Sequence, residues 1–311
     1  MNLELFVLGC GGMMPLPGRY LTSVLLRRDG ELFLFDCGEA TQISLKKLNI
    51  KWKKISVVLI SHMHADHVTG LHGILMLSAQ VERNDPLYII GPPKVGEYIE
   101  ENRRILDMYI NYKIEVIEVP QGQAGTVFKG DGFHIDAFPL NHTKPCMGYS
   151  FIEEKRSGIF YPEKALELNI PKGSLWSKLQ KGESVELEGG KIITSDMVTG
   201  EKRSGRKFSF VTDTAFSPNI VPNVKDSDIF ICEGMFTEEL AESAVTKKHL
   251  TAKQAAEIAL LAGGIDKLGL IHYSPRYNDR ELAKLLEEAK AVFPNTFLTR
   301  DRQLISIKNK D

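Results

Sequence analysis

The chain has 311 residues, 43% of them hydrophobic, enough to bury one large α/β core or two ordinary ones. Its 39 Lys and Arg against 40 Asp and Glu leave a net charge of −1, so no overall basic field points to nucleic acid, and a polyanion would have to meet a local basic patch. The four cysteines, Cys10, Cys37, Cys146 and Cys232, are scattered without a C-x-x-C pair, which argues against a thiolate zinc ribbon and a disulfide framework and leaves reduced thiols, mostly in the core. The N-terminus MNLELFVLGCGG has no basic segment ahead of a long apolar run, and no stretch of about 18 apolar residues exists. A cytoplasmic protein without a signal peptide or membrane span is expected.

In chain order, LELFVLG is an apolar strand ended by glycines, and SVLLRR and ELFLFDCG form a hairpin turned at Asp29-Gly30. TQISLKKLNI reads as a short helix, and ISVVLI as a buried strand. A helix from about Gly70 to Gln80, the strand PLYIIGP and a helix from about Lys94 to Ile110 follow, then the strands IEVIEVP and FHIDAFPLNH. Residues 151–207 are charged, rich in Gly and without a long periodic helix, so they read as an insertion projecting from a single domain spanning 1–311. Regular structure resumes with the strands FSFVTDTAF and DIFICEG. TAKQAAEIALLAGG is a helix with Thr251 as N-cap and Gly263 past its end. KLGLIHYSP is a strand, and NDRELAKLLEEAKAVF is a helix with a capping box from Asn278 to Glu281. The alternation defines an α/β chain with mixed sheets.

The stretch SHMHADHVTG carries three of the chain's eight histidines beside an aspartate, directly after ISVVLI. In an extended segment residues two apart point the same way, so His62 and His64 converge on one point, while Asp66 and His67, past the turn, address a second. Imidazoles and a carboxylate suit a divalent ion such as zinc. Further ligands are expected at other strand ends, where His142, Asp213 and His272 stand. Any one of these alone is ordinarily a cap or turn former; together with the first cluster they complete a dinuclear set, with Asp213 as the shared carboxylate. Two ions about 3.5–4 Å apart would generate hydroxide at neutral pH and clamp an oxyanion.

HMHADH with His142, Asp213 and His272 downstream resembles the metallo-β-lactamase superfamily, which implies a four-layer αββα sandwich with a dinuclear site at one edge. LGCGGMMPLPGRYLTS, LFDCGEATQ, GLHGIL, VTDTAF and HYSPRY, over Leu3 to Arg302, are similar to the ribonuclease Z family. The resemblance implies a zinc-dependent endonuclease, two zinc ions per subunit, that removes the 3′ trailer of precursor tRNA after the discriminator base. It places His62, His64 and His142 on one zinc, Asp66, His67 and His272 on the other, and Asp213 between them. It makes Asp66 the residue that orients the nucleophile and His249, paired with Glu233, the acid for the leaving 3′ oxygen. Arg19 and Ser23 fall in the loop that the resemblance places near the RNA acceptor end, and Arg276 in HYSPRY either binds a phosphate or fixes its loop by a backbone contact. NIPKGSLWSKLQKG is similar to the tip of the family's flexible arm, which grips the tRNA elbow, with Lys172 and Lys178 as phosphate contacts and Trp176 either against the elbow or packed within the arm; the arm of one subunit serves the other, so a homodimer is implied. The chain departs from the family pattern at Ala65, where glycine is usual, in PKGSLW for a PPGPLY-like tip, and at Met235 in EGMF. Two rivals remain: another hydrolase on the same fold, acting on small phosphodiesters, sulfate esters or lactones, and a catalytically silent RNA-binding relative. The projecting arm speaks against the first and the intact ligand set against the second.

Overall fold

A computed structural model describes residues 2–80 and 83–309. The described residues divide into two compact units, 2–152 with 207–308, and 153–206. The strands are β1 (Leu3–Gly9), β2 (Ser23–Arg28), β3 (Glu31–Phe35), β4 (Ile55–Leu59), β5 (Leu87–Gly91), β6 (Ile114–Glu118), β7 (Gly125–Gly130), β8 (Phe133–Leu140), β9 (Cys146–Glu153), β10 (Val185–Glu186), β11 (Ile192–Ile193), β12 (Lys207–Val211), β13 (Ile229–Glu233), β14 (Lys267–Ile271), β15 (Thr296–Leu298) and β16 (Leu304–Ser306).

The larger unit holds two seven-stranded sheets, ordered β16-β1-β2-β3-β4-β5-β6 and β15-β14-β13-β12-β9-β8-β7. Each is mixed. In the first, β3 to β6 run parallel and β1, β2 and β16 antiparallel; in the second, β12 to β15 run parallel and β12 pairs β9 antiparallel. The central parallel strands are buried nearly end to end, as expected for strands covered on both faces. Between the sheets lies an aromatic core: Phe35 meets Phe208 at a centroid distance of 5.1 Å, and Phe133 meets Phe151 at 4.8 Å. Helices Thr41–Lys47, Leu71–Ala79 and Val95–Ile105 bury Leu45, Ile74, Leu75 and Ile99 on the outer face of the first sheet. Helices Ala252–Ala262 and Leu282–Lys290 cover the second. The result is the four-layer αββα order.

Local chemistry explains the punctuation. The β2–β3 turn takes positive φ at Asp29 (48°) and Gly30 (97°), the backbone sense that matches strand twist in a two-residue hairpin. Thr251 caps helix Ala252–Ala262 by accepting from the Gln254 N–H, and Gln254 reaches back to the Thr251 N–H. The Asn278–Glu281 box forms one turn before its helix: Asn278 N–H donates to Glu281, and Asn278 Oδ1 accepts from the N–H groups of Arg280 and Glu281. All four cysteines are free and buried.

The smaller unit has its own core, Ala165, Ile170, Leu179, Val185, Ile193 and Val198, beneath the helices Pro162–Glu167 and Ser174–Gln180 and the β10–β11 pair. Its base is closed by Arg206, buried and bidentate to the buried Glu153 at 2.6 and 2.8 Å.

Candidate metal centre

The parallel strands of each sheet release their polar residues at their C-terminal ends. Asp36 follows β3, His62 follows β4, Asp213 follows β12, Glu233 ends β13, and His272 follows β14; His142 follows β8. The short helix Ala65–Val68, just beyond β4, presents Asp66 and His67. Ala65, directly before Asp66, is exposed.

Two sets of donor atoms result. In the first, His62 Nε2 lies 2.9 Å from His64 Nδ1, His142 Nε2 lies 3.2 Å from His64 Nδ1, and Asp213 Oδ2 is 3.5 and 3.7 Å from His62 and His142. In the second, His67 Nε2 and His272 Nε2 are 3.2 Å apart, Asp66 Oδ2 is 3.6 and 3.3 Å from them, and Asp213 Oδ1 is 3.4 and 3.2 Å from them. Ligands held tetrahedrally at about 2.0–2.1 Å from an ion stand about 3.3–3.4 Å from one another. Both sets match that spacing, and Asp213 gives one oxygen to each. Asp213 Oδ1 is buried and accepts no hydrogen bond, although two imidazole nitrogens lie within 3.4 Å of it. Such a buried, orphaned carboxylate oxygen is costly without a cation. The residues fit a metal pair.

The electrostatics agree. Burial, reinforced by His67, holds His62 well below the usual histidine range, and burial also lowers His64 and His142. Burial opposes charge on Asp66 and Asp213 as well, but His67 and His272 outweigh it and keep both carboxyls below their usual range. His67 runs the other way: burial opposes its charge, yet Asp213, Asp36 and Asp66 push it up. Three carboxylates around one imidazole form a surplus of negative charge that a cation neutralises, releasing the proton.

Asp36 was not among the residues singled out from the sequence. It is fully buried at a φ of 54°. Its Oδ1 accepts the Ser61 N–H at 2.7 Å; its Oδ2 accepts the Ser61 hydroxyl at 2.8 Å and faces His67 Nδ1 at 2.7 Å. Ser61 Oγ in turn lies 3.0 Å from His62 Nδ1. One carboxylate thus sets the ring nitrogens of His67 directly and His62 through a hydroxyl. The signal was legible: FLFD ends an apolar strand in a carboxylate, as FVTD does.

His249 Nδ1 lies 3.0 Å from Glu233 Oε2, and Glu233 Oε1 accepts the Thr214 N–H at 2.7 Å. Burial works against a charged His249, but Glu233 outweighs it and raises the imidazole to about 9. His249 Nδ1 also comes within 3.9 Å of Asp213, but the Glu233 carboxylate engages that nitrogen and so keeps it from acting as a ligand. The ring stacks on His272 with centroids 5.6 Å apart.

The expected RNA contacts divide. Ser23 is fully buried and donates to the Asp36 carbonyl, and Arg19 is 9% exposed, bonded to the Tyr277 carbonyl and Asp279. Both side chains are engaged by the fold. Arg276 is exposed, its Nε on Ser274 and its guanidinium over Phe236. Within the smaller unit Lys172 and Lys178 are exposed, while Trp176 is half-buried against Phe160 with its indole N–H on the Ile170 carbonyl. His72 sits on a helix beside Tyr98, and His134 on β8 near Asp136.

This architecture, with its His and Asp set at one sheet edge, is the metallo-β-lactamase fold. The solved structure of human tRNase Z, short form, matches it with a TM-score of 0.73 over 98% of this chain and 99% of that one, at 23% identity. The metallo-β-lactamase fold protein YhfI from Bacillus subtilis matches with a TM-score of 0.68 over 98% and 100%, at 18% identity. A family model described as Anti-Pycsar protein Apyc1 matches residues 3–162. The ribonuclease Z of Treponema denticola is 58% identical across the whole of both chains, that of Treponema pallidum 55% across all of this chain and 99% of the other, and that of Borrelia hermsii 44% across 100% and 98%. The chain therefore belongs to the ribonuclease Z family and, over residues 3–162, to the Apyc1 family, whose match stops short of Asp213, Glu233, His249 and His272.

Proposed function

We propose that this chain is the endoribonuclease that removes the 3′ trailer from precursor tRNA, cutting after the discriminator to leave a 3′-hydroxyl on the tRNA and a 5′-phosphate on the trailer. Two zinc ions per subunit would occupy the two donor sets. One observation carries the reading: in a chain matched end to end by ribonucleases Z, seven His and Asp side chains present two four-atom donor sets that share Asp213.

When bound, the metal pair supplies a nucleophile at neutral pH and positive charge against the phosphoryl oxygens. The rest falls to the chain. Asp66, one oxygen of which accepts the Met13 N–H at 2.7 Å, orients the attacking water with the other. His249, held by Glu233 and raised to about 9, carries its proton at neutral pH and gives it to the leaving 3′ oxygen. Asp36 fixes the tautomers of His67 and His62, so that Nε2 of each faces the centre.

The unit at 151–207 serves as the tRNA-binding arm, with Lys172 and Lys178 on phosphates, and a cytoplasmic homodimer lets each arm serve its partner's centre. No described helix is long and apolar enough to cross a membrane.

The test is cleavage of a 3′-extended precursor tRNA mapped to the nucleotide, with Asp66→Ala and a deletion of 160–200 alongside. The deletion ends adjoin, since Gly200 N–H donates to the Ile159 carbonyl at 2.8 Å. The reading stands if wild type cuts after the discriminator, Asp66→Ala does not cut, and the deletion loses precursor but keeps a small phosphodiester. It falls if wild type turns over only small esters, which makes the chain a small-substrate hydrolase, or turns over nothing while binding RNA, which makes it a silent relative.

A further inference from the structure

Among the residues other than glycine with left-handed backbone at the centre are Asp36 (φ 54°), His272 (φ 62°) and Lys248 (φ 55°). The first two carry side chains of the metal site. Lys248 contributes its carbonyl, which accepts from His142 Nδ1 at 2.9 Å and fixes that ring. That task needs only backbone, and glycine would perform it with less strain. What remains to be explained is the lysine side chain.

Its ammonium is fastened at the centre's rim. Nζ donates to Asn141 Oδ1 at 3.2 Å and to the His142 carbonyl at 3.3 Å, just past the end of β8. Among the described residues no carboxylate pairs with it. Two further cations, Lys247 and Arg276, stand 5.8 and 5.2 Å over the ring of Phe236, which lies 6.0 Å from the ring of His249. Neither has a carboxylate partner among the described residues. Other exposed cations of this unit, such as Lys284 with Glu239 and Arg104 with Glu101, do sit in ion pairs. Uncompensated positive charge gathered beside the metal centre attracts the phosphates of a nucleic-acid strand and places them without reading sequence.

We propose that Lys248 is a phosphate-positioning residue, its ammonium receiving an RNA phosphate on the tRNA side of the cleaved bond, with Lys247 and Arg276 extending the track along the same strand. The side follows from His249, which neighbours Lys248 and donates to the oxygen that stays with the tRNA. The inference rests on the precursor-tRNA reading.

The test is equilibrium binding of a tRNA ending at the discriminator, which cannot be trimmed, to the metal-loaded full chain from about 50 to about 200 mM salt. Lys248→Gly accepts the backbone and keeps the carbonyl on His142. It should weaken binding about tenfold at low salt and reduce the slope of log K against log salt by about 0.7–0.9, the share of one phosphate contact. Metal content and Tm should stay at wild-type values, and Lys248→Arg should restore the slope. An unchanged slope in Lys248→Gly overturns the proposal, and so does a loss that accompanies loss of metal. Wild type that binds this tRNA but does not trim its precursor defeats the processing reading alone, because the slope still decides on Lys248. Wild type that does not bind it defeats both.

Discussion

Replacing Asp36 by Asn keeps the shape of the side chain and removes one acceptor, which makes the consequence calculable. The carboxylate now accepts three hydrogens from buried partners: the Ser61 N–H, the Ser61 hydroxyl and His67 Nδ1–H. If the amide nitrogen takes the Oδ2 position, it must donate to His67 Nδ1 across 2.7 Å, and the ring proton moves to Nε2. That nitrogen stands 3.2 Å from His272 Nε2 and 3.4 Å from Asp213 Oδ1, inside the second donor set, and once protonated it has no lone pair for a metal. Loss of such a supporting contact lowers metal affinity by about 10–100-fold, or about 1.4–2.8 kcal/mol. If the amide flips instead, its NH2 faces the Ser61 N–H across 2.7 Å, and two buried donors without a partner destabilise the fold by about 1–3 kcal/mol each. Neither route is free, so the variant must lose metal affinity or stability. Metal titration with metal content after dialysis reads the first, and thermal unfolding of the metal-free chain reads the second. An Asp36→Asn chain with wild-type metal affinity and wild-type Tm would refute the assignment of Asp36 as the residue that sets the His67 tautomer.

Three further outcomes are expected. A Cβ on Gly12 would sit 2.5–2.8 Å from three ring atoms of His272, so Gly12→Ala should displace that ring and lower metal affinity at least tenfold while far-ultraviolet circular dichroism stays unchanged; a variant that binds metal normally would show that the loop gives way. His249→Ala should reduce precursor trimming by about 10²–10⁴-fold at full metal content, and should reduce hydrolysis of a p-nitrophenyl phosphodiester far less, because that leaving group needs no proton; equal losses on both substrates would remove His249 from the acid role. Chelation should lower Tm, since metal at a hundredfold excess over its Kd stabilises the folded chain by about 2.7 kcal/mol per ion; a chelator-insensitive Tm would contradict the orphaned Asp213 oxygen as a metal ligand.

The strands that precede the site were legible because strands with parallel partners covered on both faces must be apolar nearly throughout, and ISVVLI and FSFV are. The first donor group was legible because His62, His64, Asp66 and His67 lie within one loop. Strand β9 was not, although Cys146–Glu153 is almost wholly buried: CMGYSFIE mixes small, polar and aromatic residues without alternation, and its aromatic residues become informative only against Phe35 and Phe133 of other strands. The three-residue strands β15 and β16 are too short to carry a period. The surroundings of Arg19 and Ser23 were not legible for a related reason. Whether a polar side chain faces solvent or a carbonyl far along the chain is decided by tertiary pairing, here with Tyr277 and Asp36, which no local pattern encodes. Trp176 stood open between RNA and the interior of its own unit, and its contacts with Phe160 and the Ile170 carbonyl likewise join residues that no local pattern pairs.

The backbone at the centre follows from the same topology. Each parallel strand must end, turn and feed a covering helix, and a polar side chain that stays at the strand end can point back over the sheet edge only if the chain reverses at once. Left-handed φ at Asp36 and His272, the first residues after β3 and β14, achieves that reversal, at about 1–3 kcal/mol each for residues other than glycine. The strands that bear this strain are fully buried where they end, Phe35 and Ile271 both at 0% exposure, so the backbone on that side cannot relax without opening the core. On the other side the chain is held by the bonds of Asp36 to Ser61 and His67 and by the Gly12 N–H on the Tyr273 carbonyl. The sandwich therefore fixes the backbone from which Asp36 and His272 reach the centre.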